Sequence, residues 1–272
     1  MHLIDTVPEN SVAWLLLSSI FAVCASYLTY HFITKKEIQE RIEREVEAEY
    51  KKQISIKKAE AEASKQERIR SELARWSNPL QAAVDNLYFR LDNLLNQQAY
   101  LALSEKNGDQ IDPNWSIDYD YFLNSTLYLF AHYVAWIDLF EKELSIELFK
   151  SYDEKEKLLE SIRIVRSCLS SYPTKYNCYG KDVQVFSLQQ RAIAELLIIS
   201  ENGSKGCMKY PEFLKNLKKD DDFRYHFKPL QALIEDITPD GDCRWKRLEA
   251  TMNALRELRE TMMDLGILAR TP

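Results

Sequence analysis

The first quarter of the chain divides sharply by polarity. "SVAWLLLSSIFAVCASYLTYHFI", Ser11–Ile33, contains no formally charged residue at neutral pH, and "TKKEIQERIEREVEAEYKK" follows it directly. Twenty-three residues at helical rise cover ~34 Å, enough for the hydrocarbon core of a bilayer. Trp14 stands near one end, and Tyr27, Tyr30 and His31 near the other, where amphipathic rings favour the membrane interface. A cleaved signal peptide would open with basic residues, but Asp5 and Glu9 precede the apolar run and no Lys or Arg occurs before Lys35. The pattern therefore predicts a retained single-pass transmembrane helix. Lys35, Lys36, Arg41 and Arg44 orient it with residues 1–10 outside and the rest in the cytoplasm, at the inner (plasma) membrane of the cell.

Residues 34–75 hold 12 basic and 10 acidic residues and neither Gly nor Pro. Glu37/Arg41, Glu40/Arg44 and Glu47/Lys51 are i,i+4 pairs in the favourable order, so a charged helical stalk is expected, extending ~63 Å if continuous. Ile38, Ile42, Val46, Tyr50 and Ile54 recur every four residues, a stripe that winds around the helix rather than holding one coiled-coil seam. A loose coiled-coil dimer and a lone charged helix both fit.

After Arg75 the spacing changes. "WSNPL" offers Ser77 or Asn78 as a helix cap and Pro79 as a first helical residue. Leu80, Val84, Leu87, Leu91, Leu94, Gln98 and Leu101 then alternate steps of four and three. A second helix carries Leu123, Leu127, Phe130, Val134, Ile137, Glu141 and Leu144, with a parallel stripe of Leu129, Tyr133, Trp136 and Phe140, and two adjacent stripes predict a central, enclosed helix. Ser151–Glu154 and Ser187–Gln190 read as capping boxes before the runs Leu158, Ile162, Val165, Leu169 and Ile193, Leu196, Leu197, Ile199. Pro211 and Pro229 mark the starts of shorter helices, and a closing helix through Trp245, Leu248, Met252, Leu255 and Met262 stops at Gly266. Period-two alternation is confined to "VQVF", and "GSKG" at 203–206 reads as a loop. The expectation is an all-α chain: residues 1–10 extracytoplasmic, 11–33 spanning, 34–75 stalk, and 76–272 a cytoplasmic multi-helix bundle.

Composition narrows the function. Six glycines in 272 residues argue against glycine-lined phosphate loops, and a net charge of −6 argues against nucleic acid as a partner. Cysteines at 24, 168, 178, 207 and 243 form no C-x-x-C pair, and the four histidines form no H-x-x-x-H, so no metal or other cofactor is expected and the cysteines read as reduced thiols.

Three groups of residues stand out. Ser18, Ala22 and Ser26 repeat every four residues in the span, a small-residue face suited to close helix pairing and hence to a homo-oligomer. Arg191 and Glu195 form a polar strip on an otherwise apolar helix and, with His132 on the central helix, are the candidates for a polar pocket or interface. The long connection "SEKNGDQIDPNWSIDYDY" interleaves Trp115, Tyr119 and Tyr121 with Asp112, Asp118 and Asp120, an acidic aromatic surface suited to a protein partner or to closing the bundle end. With no catalytic motif in the chain, a membrane-anchored interaction or scaffold protein is expected rather than an enzyme. Its alternatives are a membrane effector or signalling component working through oligomerisation of the span, and a helical enzyme or small-ligand binder with a pocket near Arg191 and Glu195.

Overall fold

A computed structural model describes residues 9–106, 118–143, 149, 151–178, 183–201 and 203–268. The chain forms two compact units, residues 1–67 and 68–272. Helix α1, Glu9–Asn96, contributes to both.

In the first unit, α1 has one stretch long and apolar enough to cross a membrane, and none of it is buried within the chain. Two of the three expected i,i+4 pairs form, Arg44–Glu40 at 3.3 Å and Lys51–Glu47 at 2.6 Å. The winding stripe Ile38, Ile42, Val46, Tyr50 and Ile54 is exposed throughout.

The second unit is mostly helical. Its elements are the end of α1, a 3-10 turn at Ala99–Leu103, α2 (Tyr119–Glu143), α3 (Tyr152–Ser170), a 3-10 turn at Pro173–Tyr176, α4 (Ser187–Leu197), α5 (Tyr210–Lys219), α6 (Asp221–Ile234) and α7 (Cys243–Asp264). The expected central helix is central: α2 packs on α4, α5 and α6, while α3 pairs with α7. Leu80, Val84, Leu87, Leu91 and Leu94 of α1 and Leu127, Phe130, Tyr133, Ile137 and Phe140 of α2 enter one continuous core. Trp76 sits edge-on to both Trp136 and Phe140, so α1 joins this core before its proline.

Several local expectations are corrected. α1 does not restart at Ser77–Pro79; Pro79 lies inside it. The buried Trp76 and Leu80 on either side hold the helix in place, and tertiary packing overrides the local breaker. Likewise Pro229 lies inside α6, whose start is fixed earlier, where the Asp220 carboxylate accepts from the backbone N–H of Asp222 and Phe223 at 3.0 Å each. Ser151 caps α3 as expected, accepting from Glu154 N–H at 3.2 Å. At α4 the frame is one residue off: Phe186 is the cap position and its N–H donates to Gln189 Oε1 at 2.8 Å. The chain is also not purely helical, since Ile198–Glu201 (β1) and Ser204–Cys207 (β2) form an antiparallel hairpin. Gly203 in its turn has φ +78°, which explains part of the "GSKG" glycine use. "VQVF" pairs in no strand; Val183, Gln184 and Val185 are buried in an extended approach to α4. α7 ends as expected ahead of Gly266, at φ +71°, with Ile267 N–H bonded to Met262 O at 2.9 Å.

Three arginines close the C-terminal ends of three helices. Arg224 donates to Leu217 O and Lys218 O of α5. Arg244 reaches Ala232 O in α6 and Glu235 O and Asp236 O just beyond it, with its guanidinium braced by Asp242 at 2.7 Å. Arg247, with no exposed surface, donates to Cys168 O, Leu169 O and Ser171 O at 2.7–2.9 Å and lies 4.6 Å over the Tyr176 ring. Carbonyls left over at a helix end need such donors when water is excluded, and a cation there also complements the helix dipole.

The reduced-thiol expectation fails at one pair. Cys178 and Cys243 are joined in a disulfide, buried in a small cluster with Tyr176 and Val183. Their separation of 65 residues is invisible to any spacing rule; the fold, not the sequence, brings them together.

Candidate functional site

The residues singled out in the sequence fall into four groups. Ser18, Ala22 and Ser26 share a face of α1 and are all exposed. The Ser18 hydroxyl turns back to Leu15 O at 3.0 Å, leaving a shallow, self-satisfied surface.

His132 lies among aromatic side chains of α2. Its Nε2 accepts from Trp136 Nε1–H at 2.9 Å, and the Tyr128 ring is 5.3 Å away, centroid to centroid. That bond assigns the proton of the neutral ring to Nδ1, which is buried without a hydrogen-bond partner. Burial pushes its pKa down to about 4, so the ring is neutral at physiological pH. The same seam continues to Tyr210, edge-on to both Tyr128 and Tyr121, and the Tyr128 hydroxyl donates to Met208 O at 3.0 Å. Among the described residues nothing in this seam offers an activated nucleophile. The nearby Cys207 thiol is pushed up to about 12 by burial. His132 therefore has the surroundings of a packed, neutral histidine.

Arg191 and Glu195 are both exposed on α4 and do not pair with each other. Arg191 instead lines a cleft with Arg163, Arg166, Ser167 and Ser170 of α3 and with Ser187 of its own helix. Nothing in the sequence singles out Arg163 or Arg166 of α3; only the packing of α4 beside them gives the cluster meaning.

Asp112 and Trp115 lie outside the described residues. Of the remaining acidic aromatic stretch, Asp118 and Asp120 are exposed, and Asp118 Oδ1 accepts from Tyr121 N–H at 2.7 Å, starting α2. Tyr119 turns inward and its hydroxyl donates to the Glu235 carboxylate; burial, reinforced by Glu235, raises its pKa above the ordinary phenol range. Tyr121 stays half exposed beside Tyr210 and Arg90. The Arg90 guanidinium lies 4.3 Å over the Phe122 ring and donates to Thr126 Oγ1 at 3.1 Å. The stretch thus divides: Tyr119 closes the bundle end, while Asp118, Asp120 and Tyr121 present outward.

Compared with protein-family models, with curated proteins and with solved structures, the chain matches none.

Proposed function

We propose that this chain is a single-pass, membrane-anchored interaction protein that presents its helical domain to protein partners. The observation that carries this reading is the exposure of Trp14, Leu15, Leu16, Leu17, Ile20, Phe21 and their neighbours on α1, which no other residue of their own unit covers among the described residues. So much contiguous apolar surface needs lipid around it. The partner-facing surface in this reading is Asp118, Asp120 and Tyr121 with Tyr210, an outward patch that combines aromatic area with acidic charge. Alkaline carbonate washing of membranes from cells expressing the full chain tests the anchor: the protein should stay in the pellet and leave it only with detergent. A photo-crosslinking residue at Tyr121 should then trap a discrete adduct in intact cells. Release by carbonate would end the anchored reading.

A second reading, an effector working through pairing of the span, draws on the small exposed face of Ser18, Ala22 and Ser26. Under it, Ser18→Leu with Ala22→Leu abolishes self-association in detergent while the domain keeps its melting temperature. Unchanged self-association would remove it.

Two features pull the topology in opposite directions. Lys35, Lys36, Arg41 and Arg44 favour a cytoplasmic domain, whereas a disulfide such as Cys178–Cys243 is characteristic of oxidising compartments. Charge acts at insertion, before the domain folds, so we assign the domain to the cytoplasm, where the Cys178–Cys243 disulfide of the folded chain is opened to its dithiol form. Acid-trapping of cells followed by alkylation of the denatured chain decides the matter. Alkylation of both cysteines without prior reduction supports this assignment, and a requirement for prior reduction reverses the topology.

A further inference from the structure

On α3, Arg163, Arg166, Ser167 and Ser170 stand at positions i, i+3, i+4 and i+7, which is one face of the helix. On α4, Ser187 and Arg191 are one turn apart. These six residues line a cleft of about 230 Å³, several times the ~30 Å³ that one water occupies in the liquid. Its walls are held together by backbone. Val185 N–H donates to Leu169 O at 3.0 Å, and the buried Gln190 side chain donates to Arg166 O at 3.1 Å.

Among the described residues the lining carries three guanidiniums and three hydroxyls, and no carboxylate. Each arginine is held differently. Arg166 is anchored from outside the lining by Glu141 of α2 at 2.7 Å, with both side chains mostly shielded from water. Arg163 is tied through Nη1 to Glu160 at 2.8 Å and through Nη2 to Glu156 at 3.6 Å. Among the described residues Arg191 has no carboxylate within ion-pair distance, and its field reaches the Glu141 carboxyl, whose pKa burial raises while Arg166 and Arg191 hold it down. The one-residue shift of the α4 cap matters here. Because Gln189 takes the capping role, the Ser187 hydroxyl is not used as a cap and remains at the cleft. Ser187 is also the first residue of α4, so the positive end of that helix dipole opens at the same place.

We propose that this cleft binds a phosphoryl group, a tetrahedral oxyanion of the phosphate monoester class. Phosphate carries about −1.5 to −2 charge at neutral pH and accepts on three oxygens, which suits donors converging from two helices. Arg191 and Arg163 supply planar paired N–H donors, Ser187 adds an O–H donor, and Arg166 with the helix end adds positive field. Arg163 and Arg166, each already paired with a carboxylate, still have N–H groups to spare among the five a guanidinium carries, and with Arg191 they suit an acceptor of several oxygens rather than the two of a carboxylate. This inference does not rest on the anchored reading above.

The test uses the full-length chain. In neutral detergent micelles, inorganic phosphate and phenyl phosphate are titrated by calorimetry against chloride at matched ionic strength. A second arm places the chain in phosphatidylcholine nanodiscs with and without phosphatidate, which separates a free phosphoryl compound from a lipid headgroup as the source. Binding in either arm, weakened about tenfold or more by Arg191→Gln and by Arg163→Gln, is the expected result. Both side chains are largely exposed, and each variant should melt, without ligand, at the wild-type temperature. No heat with phosphate, phenyl phosphate or phosphatidate overturns the proposal. So does binding that both variants leave unchanged.

Discussion

Residues 38–54 and 80–94 belong to the same helix and each carries a stripe of five large apolar side chains, yet one stripe lies in the open and the other is sealed. The difference is in the step. Ile38, Ile42, Val46, Tyr50 and Ile54 advance by four, and at about 100° per residue each step carries the stripe ~40° further round the axis. Leu80, Val84, Leu87, Leu91 and Leu94 alternate four and three, so the drift is undone at every second step and a flat face survives. Hydrophobic content gives both segments the means to pack. Only the second has a face for α2 and α7 to meet, and there Asp85 reaches Arg259 at 2.7 Å and Arg90 reaches Thr126. Charge follows the same division. Along the exposed segment, Arg and Lys pair with Glu one turn away; in the domain, Arg224, Arg244 and Arg247 serve the ends of other elements.

The sharpest way to break this comparison is amide hydrogen exchange on the full chain in detergent. Amides of 38–54 should exchange at least about 1000-fold faster than those of 80–94, because opening the first costs a local helix and opening the second costs the core. Equal protection would mean that the winding stripe is covered after all.

Next in size is Arg247→Ala. It strands the carbonyls of Cys168, Leu169 and Ser171 in a buried site, and about 3 kcal/mol or more of stability should disappear in chemical denaturation. A loss under 1 kcal/mol would show that the arginine fills space rather than closing α3.

His132 gives an effect of intermediate size with a definite sign. Its folded pKa, about 4, lies below the unfolded ~6.5, so between these values the unfolded chain binds the extra proton and stability falls as pH falls. Between pH 7.5 and pH 5 this group alone should cost about 2 kcal/mol, a loss that His132→Gln removes from the denaturation profile. An identical profile for the variant would place the pH dependence elsewhere.

The smallest effect is expected in the exposed segment. Glu47→Ala breaks a 2.6 Å ion pair with Lys51, yet both side chains are more than 60% exposed and the change should be within ~0.5 kcal/mol.

What was legible in the sequence follows from range. The periodic runs of α1, α2, α3 and α7 were readable because a helix face is written in residues three and four apart. Pro79 and Pro229 misled because a local breaker is outweighed by packing that sequence spacing does not display. The hairpin at 198–207 is too short for alternation to stand out from the helical run that enters it. Arg191 was visible as an oddity, but the cleft it shares with Arg163 and Arg166 needs α3 and α4 side by side. The Cys178–Cys243 bond and the reach of Arg247 to α3 span 65 and about 80 residues, and nothing local announces either.

The arginine clasps also set an order of events. α7 is synthesised after α3 and α6, and it carries Arg244 for the end of α6, Arg247 for the end of α3, and Cys243 for Cys178. Until that segment emerges, two earlier helices lack their terminal donors and the small cluster around Tyr176 has no wall. A nascent chain arrested after residue 242 should therefore be cut readily by protease between 152 and 176, and full-length release should abolish the cleavage. The stretch that lets the domain close is made after the helices it closes.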